Sequence, residues 1–204
     1  MQSIDWEEER RRLDREITYF HFKKANRLLI KLIRLAKKHN ELFFINYFTG
    51  QKYMLNEDFN KAIEFFNRAL RVRPNDGCTY NDKAICLAEL GYLEEAIACF
   101  DEGLRRDRNS LVLYHNKGWL LNLLGNYKDA IMCFKKVLEI EPNRPESLYS
   151  LADTYFNIGD YRLASVYFKR AFQEIRGKSS YIYKEILRRL EEIKYNFKLS
   201  QESS

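Results

Sequence analysis

Apolar residues recur along most of this chain at the spacing of one face of a helix, and the faces come in pairs. Tyr80, Ala84 and Leu87 lie at i, i+4 and i+7 and predict one amphipathic helix. Leu90-Gly91 interrupts it, and a second stripe runs through Leu93, Ala96, Ile97, Phe100 and Leu104. The pair is repeated. Ala62, Ala96, Ala130 and Ala164 form a column of period 34, and Phe66, Phe100, Phe134 and Phe168 form another, four residues downstream. Gly50, Ala84, Gly118 and Ala152 form a third, holding only small residues. Asp58-Phe59, Tyr92-Leu93, Asn126-Tyr127 and Asp160-Tyr161 form a fourth, the last three preceded by Gly91, Gly125 and Gly159. Pro74 and Pro142 close the first and third units. The spacing predicts four helical hairpins over 43–76, 77–110, 111–144 and 145–178, with small residues where the two helices of a hairpin approach closely.

These columns resemble the tetratricopeptide-repeat (TPR) family, whose 34-residue unit folds as two antiparallel helices. The resemblance covers 43–178. It implies an all-α, right-handed α-solenoid of TPR hairpins. Glu57 departs from the pattern at the mid-unit glycine, Arg108 and Arg176 at the closing proline, and Gly103 and Val137 at a second alanine. These departures are expected to loosen turns or shift packing without threatening the fold. Upstream, Leu13, Ile17 and Phe20, then Ala25, Leu28, Leu29, Leu32 and Ala36, predict a divergent N-terminal hairpin over 1–42, joined through His21 to Lys24. Downstream, Ile182, Ile186, Leu190, Ile193 and Phe197 predict an amphipathic helix over 179–198 that caps the last unit. Leu199 to Ser204 is expected to fray.

Composition then narrows the function classes. Aromatics make up 15% of the chain, with 8 glycines and 3 prolines, which suits long helices joined by short turns. No window is long and apolar enough to span a membrane, and the charged start lacks a secretory h-region, so a cytoplasmic location is expected. Cys78, Cys86, Cys99 and Cys133 contain no Cys-x-x-Cys and read as reduced, buried small hydrophobes. No metal or cofactor is expected. Neither a phosphate loop nor a nucleophile elbow occurs, so no catalytic residue is assigned and the chain is expected not to be an enzyme. The net charge of +6 invites a nucleic-acid reading, but residues 43–176 balance 18 Lys/Arg against 18 Asp/Glu. The excess sits at the ends, where both signs interleave as on solvated helix faces, and nucleic acid is disfavoured.

In TPR stacks the first helix of each hairpin lines the concave face, which commonly holds partners. The flank of those helices opposite the packed small positions offers the candidate site: Tyr47 and Gln51, then Asn81, Asp82 and Ile85, then His115, Asn116, Trp119 and Asn122, then Tyr149, Asp153 and Phe156. Aromatics recurring in a concavity mark a binding surface, although each could instead pack between units. Asp82, Asn116 and Ser150 form a polar column; family members that grip extended peptides use asparagines there. The lysines of a chaperone-type carboxylate clamp are missing. The leading expectation is a scaffold or adaptor that holds another protein's peptide or amphipathic helix. The alternative is a self-assembling structural protein, a homo-oligomer built through its terminal hairpin or by end-to-end stacking.

Overall fold

The computed structural model describes the backbone of residues 4–175 and 181–202, and the side chains of 4–175 and 183–195. Among the described residues there are eleven helices and no strand: α1 (Trp6–Thr18), α2 (Phe22–Lys38), α3 (Leu42–Leu55), α4 (Phe59–Val72), α5 (Gly77–Glu89), α6 (Leu93–Arg106), α7 (Leu111–Leu123), α8 (Tyr127–Ile140), α9 (Pro145–Asn157), α10 (Tyr161–Ile175) and α11 (Tyr181–Glu202). The fold is an all-α helical repeat. The chain forms two compact units, 1–113 and 114–204, each described by itself.

Capping residues start several of the helices. The carboxylates of Asp5, Asp58, Asp76 and Asp160 accept from the backbone N–H three positions on, at Glu8, Lys61, Thr79 and Leu163. The helices that open a hairpin end in a closed turn. After α5, Gly91 adopts φ +81°, its N–H bonds to Ala88 O, and the Tyr92 N–H reaches back to Leu87 O. Gly125 and Gly159 take the same left-handed φ. Glu57, at the equivalent place after α3, takes φ +59°; its N–H bonds to Met54 O and the Asp58 N–H reaches back to Tyr53 O. The departure in sequence leaves the turn unchanged and places a non-glycine residue in a strained conformation.

The closing prolines are equally dispensable. Arg73 and Glu141, before Pro74 and Pro142, leave their helices at φ/ψ −126°/86° and −128°/83°. Asp107, before Arg108, does so at −128°/89°. The extended exit residue is thus adopted with or without a following proline, which only favours it. Arg176 lies outside the described residues.

In unit 1 the core joins Leu13 of α1, the inner stripe of α2, Phe43, Phe44, Tyr47 and Phe48 of α3, Ala62, Phe66 and Ala69 of α4, and Cys86 of α5. The small column works as its pattern predicts. A Cβ on Gly50 would stand 2.6 Å from the Phe66 ring, so α3 and α4 approach to a distance that Gly50 alone permits. In unit 2 the equivalent Gly118 faces Phe134 in the same way, at 2.9 Å.

Three local expectations are corrected. The α1–α2 connection is Tyr19–His21 and not His21–Lys24, because Phe20 takes φ +57° and the Phe20 and His21 N–H groups bond to Ile17 O and Glu16 O. Cys78 lies exposed in the first turn of α5, while Cys86, Cys99 and Cys133 are buried. Helix α11 continues to Glu202, beyond the expected start of the tail. Its Ile186 and Ile193 are buried, and the side chains of Ile182 and Phe197 lie outside those described.

Candidate functional site

In unit 1 helix α1 lies across the flank of α3 that carries Phe44, Tyr47, Phe48 and Gln51. Trp6 stacks on Phe44 at 4.9 Å between ring centroids. One face further along α1, the Arg10 guanidinium sits 4.2 Å over the Tyr47 ring and reaches past α3 to Asp76. There it donates twice, at 2.8 and 2.9 Å, to the two carboxylate oxygens. Arg10 is only 4% exposed, and a bidentate pair in that setting is a strong, directional contact. Arg10 and the hydroxyl and backbone of Thr79 together hold the Asp76 carboxyl below its usual range against the opposing effect of burial. Tyr47 is covered by this contact, and Gln51 and Asn81 are buried too.

These side chains form one polar chain with Asp82. The Tyr47 hydroxyl donates to Asp82 at 3.1 Å, the Gln51 amide donates to the same carboxylate oxygen, and Asn81 donates to the other at 3.2 Å. Burial, with a further push from nearby Asp14, drives the Asp82 carboxyl up to about 7, although Arg10 and these hydrogen bonds oppose it.

Beyond the last turn of α1 the flank reopens. Ile17, Phe22, Met54, Leu55, Phe59 and Ile85 line a concavity of about 500 Å³, together with the buried Gln51 and the exposed Glu57 and Glu89. Its lining is mainly apolar, with two carboxylates among it.

Unit 2 presents its flank differently. Trp119 on α7 is 51% exposed, a large indole left in solvent. His115 faces inward: its Nδ1 lies 2.9 Å from the Ser147 hydroxyl, its ring packs on Phe134, and burial beside Arg144 pulls it down to about 4. It is therefore neutral at physiological pH and braces α7 against α9. Asn122 accepts from Asn157 at 3.4 Å, and Asn157 donates to Asp153 at the same length. Helix α11 supplies Arg189, which sits 4.5 Å over the Phe156 ring and 3.1 Å from Asp153. Tyr149 packs on Phe168. Asn116 is half-buried and engaged, and Ser150 is half-buried too.

The candidate residues thus fall into three groups. Tyr47, Gln51, Asn81 and Asp82 are joined by hydrogen bonds; Ile85 opens on the concavity; and His115, Asn116, Trp119, Asn122, Tyr149, Asp153 and Phe156 belong to unit 2, with Trp119 the most exposed. Arg10 and Arg189 were missed. Each stands in a charged helix whose sequence shows many arginines, and only the fold distinguishes the one that turns inward. Among the described residues no group of His, Cys, Asp and Glu could hold a metal ion, and no helix is long and apolar enough to cross a membrane.

Comparison with known proteins matches the family model described as Tetratricopeptide repeat at residues 46–76 and again, in a longer form, at 75–141. A model described as Anaphase-promoting complex, cyclosome, subunit 3 matches residues 124–195. The peroxisomal targeting signal receptor of Eremothecium gossypii is 46% identical over 48 residues, which is 24% of this chain and 8% of that receptor. Among solved structures, a thermophilic TPR protein in Thermus thermophilus is similar with a TM-score of 0.73, 19% identity, and coverage of 89% of this chain and 98% of that one. YrrB, described as a TPR protein with an unusual peptide-binding site, is similar with a TM-score of 0.60, 16% identity, and coverage of 86% and 88%. At such identities the structural likenesses establish the shared fold.

Proposed function

Because this chain belongs to the tetratricopeptide-repeat family, a family of protein-interaction modules, we propose that it acts as a non-catalytic adaptor holding an amphipathic helix of a partner protein. The observation that carries this is the open concavity of Ile17, Phe22, Met54, Leu55, Phe59 and Ile85 on the flank of α3 and α5. An apolar side chain leaving water for it contributes roughly 1.5–3 kcal/mol, enough to anchor a helix when two or three do so together. The exposed Glu57 and Glu89 favour a partner whose apolar stripe is flanked by Lys or Arg. The exposed indole of Trp119 is the corresponding anchor offered by unit 2, and tryptophan is among the side chains that dominate interface energetics. YrrB, by its description, has a peptide-binding site on the same fold, which supports a peptide or helix as the ligand class.

The test is selection of displayed helical peptides on the immobilised full chain, followed by titration of the winners against variants. Peptides with apolar residues at i, i+3 or i+4 and i+7 are expected, losing at least about tenfold in affinity to Ile85→Glu, or to Trp119→Ala, while helical circular dichroism stays unchanged. Winners that bind wild type, Ile85→Glu and Trp119→Ala equally would remove both surfaces from the proposal.

A further inference from the structure

The charges of the N-terminal hairpin do not interleave once they are placed on helices. Residues 1–42 carry both signs, but the acids of that segment lie outside α2. On α1, Glu8 pairs with Arg11 and Arg15, and Glu7 with Arg10 and Arg73, so acid and base answer each other there. Helix α2 carries seven Lys and Arg and no Asp or Glu. Its buried stripe of Ala25, Leu28, Leu29, Leu32 and Ala36 turns these cations outward together, with Arg27, Lys31, Arg34 and Lys38 in one line. Among the described residues none of the seven makes an ion pair. From Lys23 to Lys38 the row spans about 22 Å at the helical rise, a straight positive edge.

At the start of this edge the chain exposes aromatic side chains. Tyr19, Phe20 and Phe22 are 68%, 77% and 50% exposed. Phe20 is held out by a left-handed backbone that bulky residues avoid, and its ring meets that of Phe22 edge-on at 5.9 Å. Between α1 and α2, beside this tip, a cleft of about 280 Å³ is lined by Arg12, Lys24, Arg27 and Lys31 with Leu28 and Glu16. Arg12 also stands 3.7 Å from Glu9, but four cations against the one lining carboxylate, Glu16, leave the cleft a positive excess.

We propose that the α1–α2 turn and the outward face of α2 dock this protein on an anionic lipid bilayer. Tyr19 and Phe20, the two most exposed rings of the tip, enter the interfacial zone, where amphipathic and aromatic rings are favoured over water, while Phe22 remains in the wall of the concavity. The row of cations lies along the headgroups, and a lipid phosphate sits in the cleft of Arg12, Lys24, Arg27 and Lys31. The apolar knob argues for lipid over nucleic acid. Phe20 and Phe22 pack edge to face and together offer a wedge, not a pair of open flat faces on which bases would stack. The apolar stripe of α2 is already in the core, so the helix lies on the membrane and does not insert its own face.

The experiment is co-sedimentation of the full chain with vesicles of phosphatidylcholine alone, and of phosphatidylcholine with phosphatidylserine. Binding to the anionic vesicles only is expected, with release as salt shortens the screening length. A basic residue near such a surface contributes about 1 kcal/mol, or roughly fivefold in affinity, so Arg27→Glu/Lys31→Glu is expected to weaken binding at least about 25-fold. Phe20→Gly removes an anchor while relieving its backbone, so vesicle binding is expected to drop severalfold with the unfolding midpoint unchanged or raised. Equal binding to neutral vesicles, or no effect of Arg27→Glu/Lys31→Glu, would overturn the proposal. So would retention of a duplex or single-stranded oligonucleotide at salt concentrations that release the anionic vesicles.

Discussion

Both units lay a helix from one end of the chain over the flank that carries the candidate site, and in both an arginine makes the contact. Arg10 in unit 1 is 4% exposed, forks onto both oxygens of Asp76 and lies over Tyr47. Arg189 in unit 2 keeps 22% of its side chain in solvent, stands 3.1 Å from Asp153 with Glu185 and Glu192 also within 4 Å, and lies over Phe156. The first is a buried fork onto Asp76, with the exposed Glu7 as an outer contact; the second is a partly exposed cation shared among three carboxylates. The same residue type above the same kind of ring can thus be a structural lock or a surface contact, and desolvation decides which.

Breaking the lock is the strongest way to test this. Arg10→Ala leaves Asp76 buried without its cation and is expected to cost about 3–5 kcal/mol of unfolding free energy in urea titrations. A loss below about 1 kcal/mol would put the pair in the surface class.

The second test uses pH. Asp82 is raised above its unfolded value, so its protonated form contributes stability in full below about pH 4, and that contribution is lost as pH rises through about 7. Thermal melts are expected to fall from pH 5 to pH 8, and Asp82→Asn is expected to flatten that slope. By the size of the shift the effect is on the order of 2–4 kcal/mol. A wild-type slope that survives in Asp82→Asn would assign it to another group.

The smallest effect is expected at Arg189→Ala. Its partial exposure and shared partners limit the loss to about 1 kcal/mol, read from the same urea titrations. A loss matching that of Arg10→Ala would abolish the distinction between the two ends.

Much of the fold was legible because it repeats. The columns at Gly50, Ala62 and Phe66 located both helices of each hairpin, and the close contact of Gly50 with Phe66 gives the physical reason for one of them. The sequence was less informative where a departure from the pattern had no structural effect. Glu57 keeps the turn of Gly91, and Asp107 keeps the extended exit of Arg73 without a following proline. In these places the same local hydrogen bonds form without the residue type that favours them.

The site was read more coarsely. Periodicity singled out the flank of α3, α5, α7 and α9 as a candidate, and Trp119 stands exposed on it. Periodicity could not indicate that α1 covers Phe44 and Tyr47, because Trp6 and Arg10 belong to no column. Nor could a count of charges over 1–42 separate the paired arginines of α1 from the unpaired row on α2. That separation needs the angle at which each side chain leaves its helix.

The reach of Arg10 also bears on how unit 1 folds. In a stack whose repeats touch only their neighbours, hairpins can fray one after another from an end. The bond from Arg10 to Asp76 joins residues 66 positions apart and passes over the whole α3–α4 hairpin. α1 cannot leave without exposing Tyr47, and the start of α5 cannot loosen without releasing α1. Unit 1 should therefore unfold as one cooperative block. Its hydrogen-exchange protection should be even from α1 through α5, at the cost of a slower search for a contact so distant along the chain.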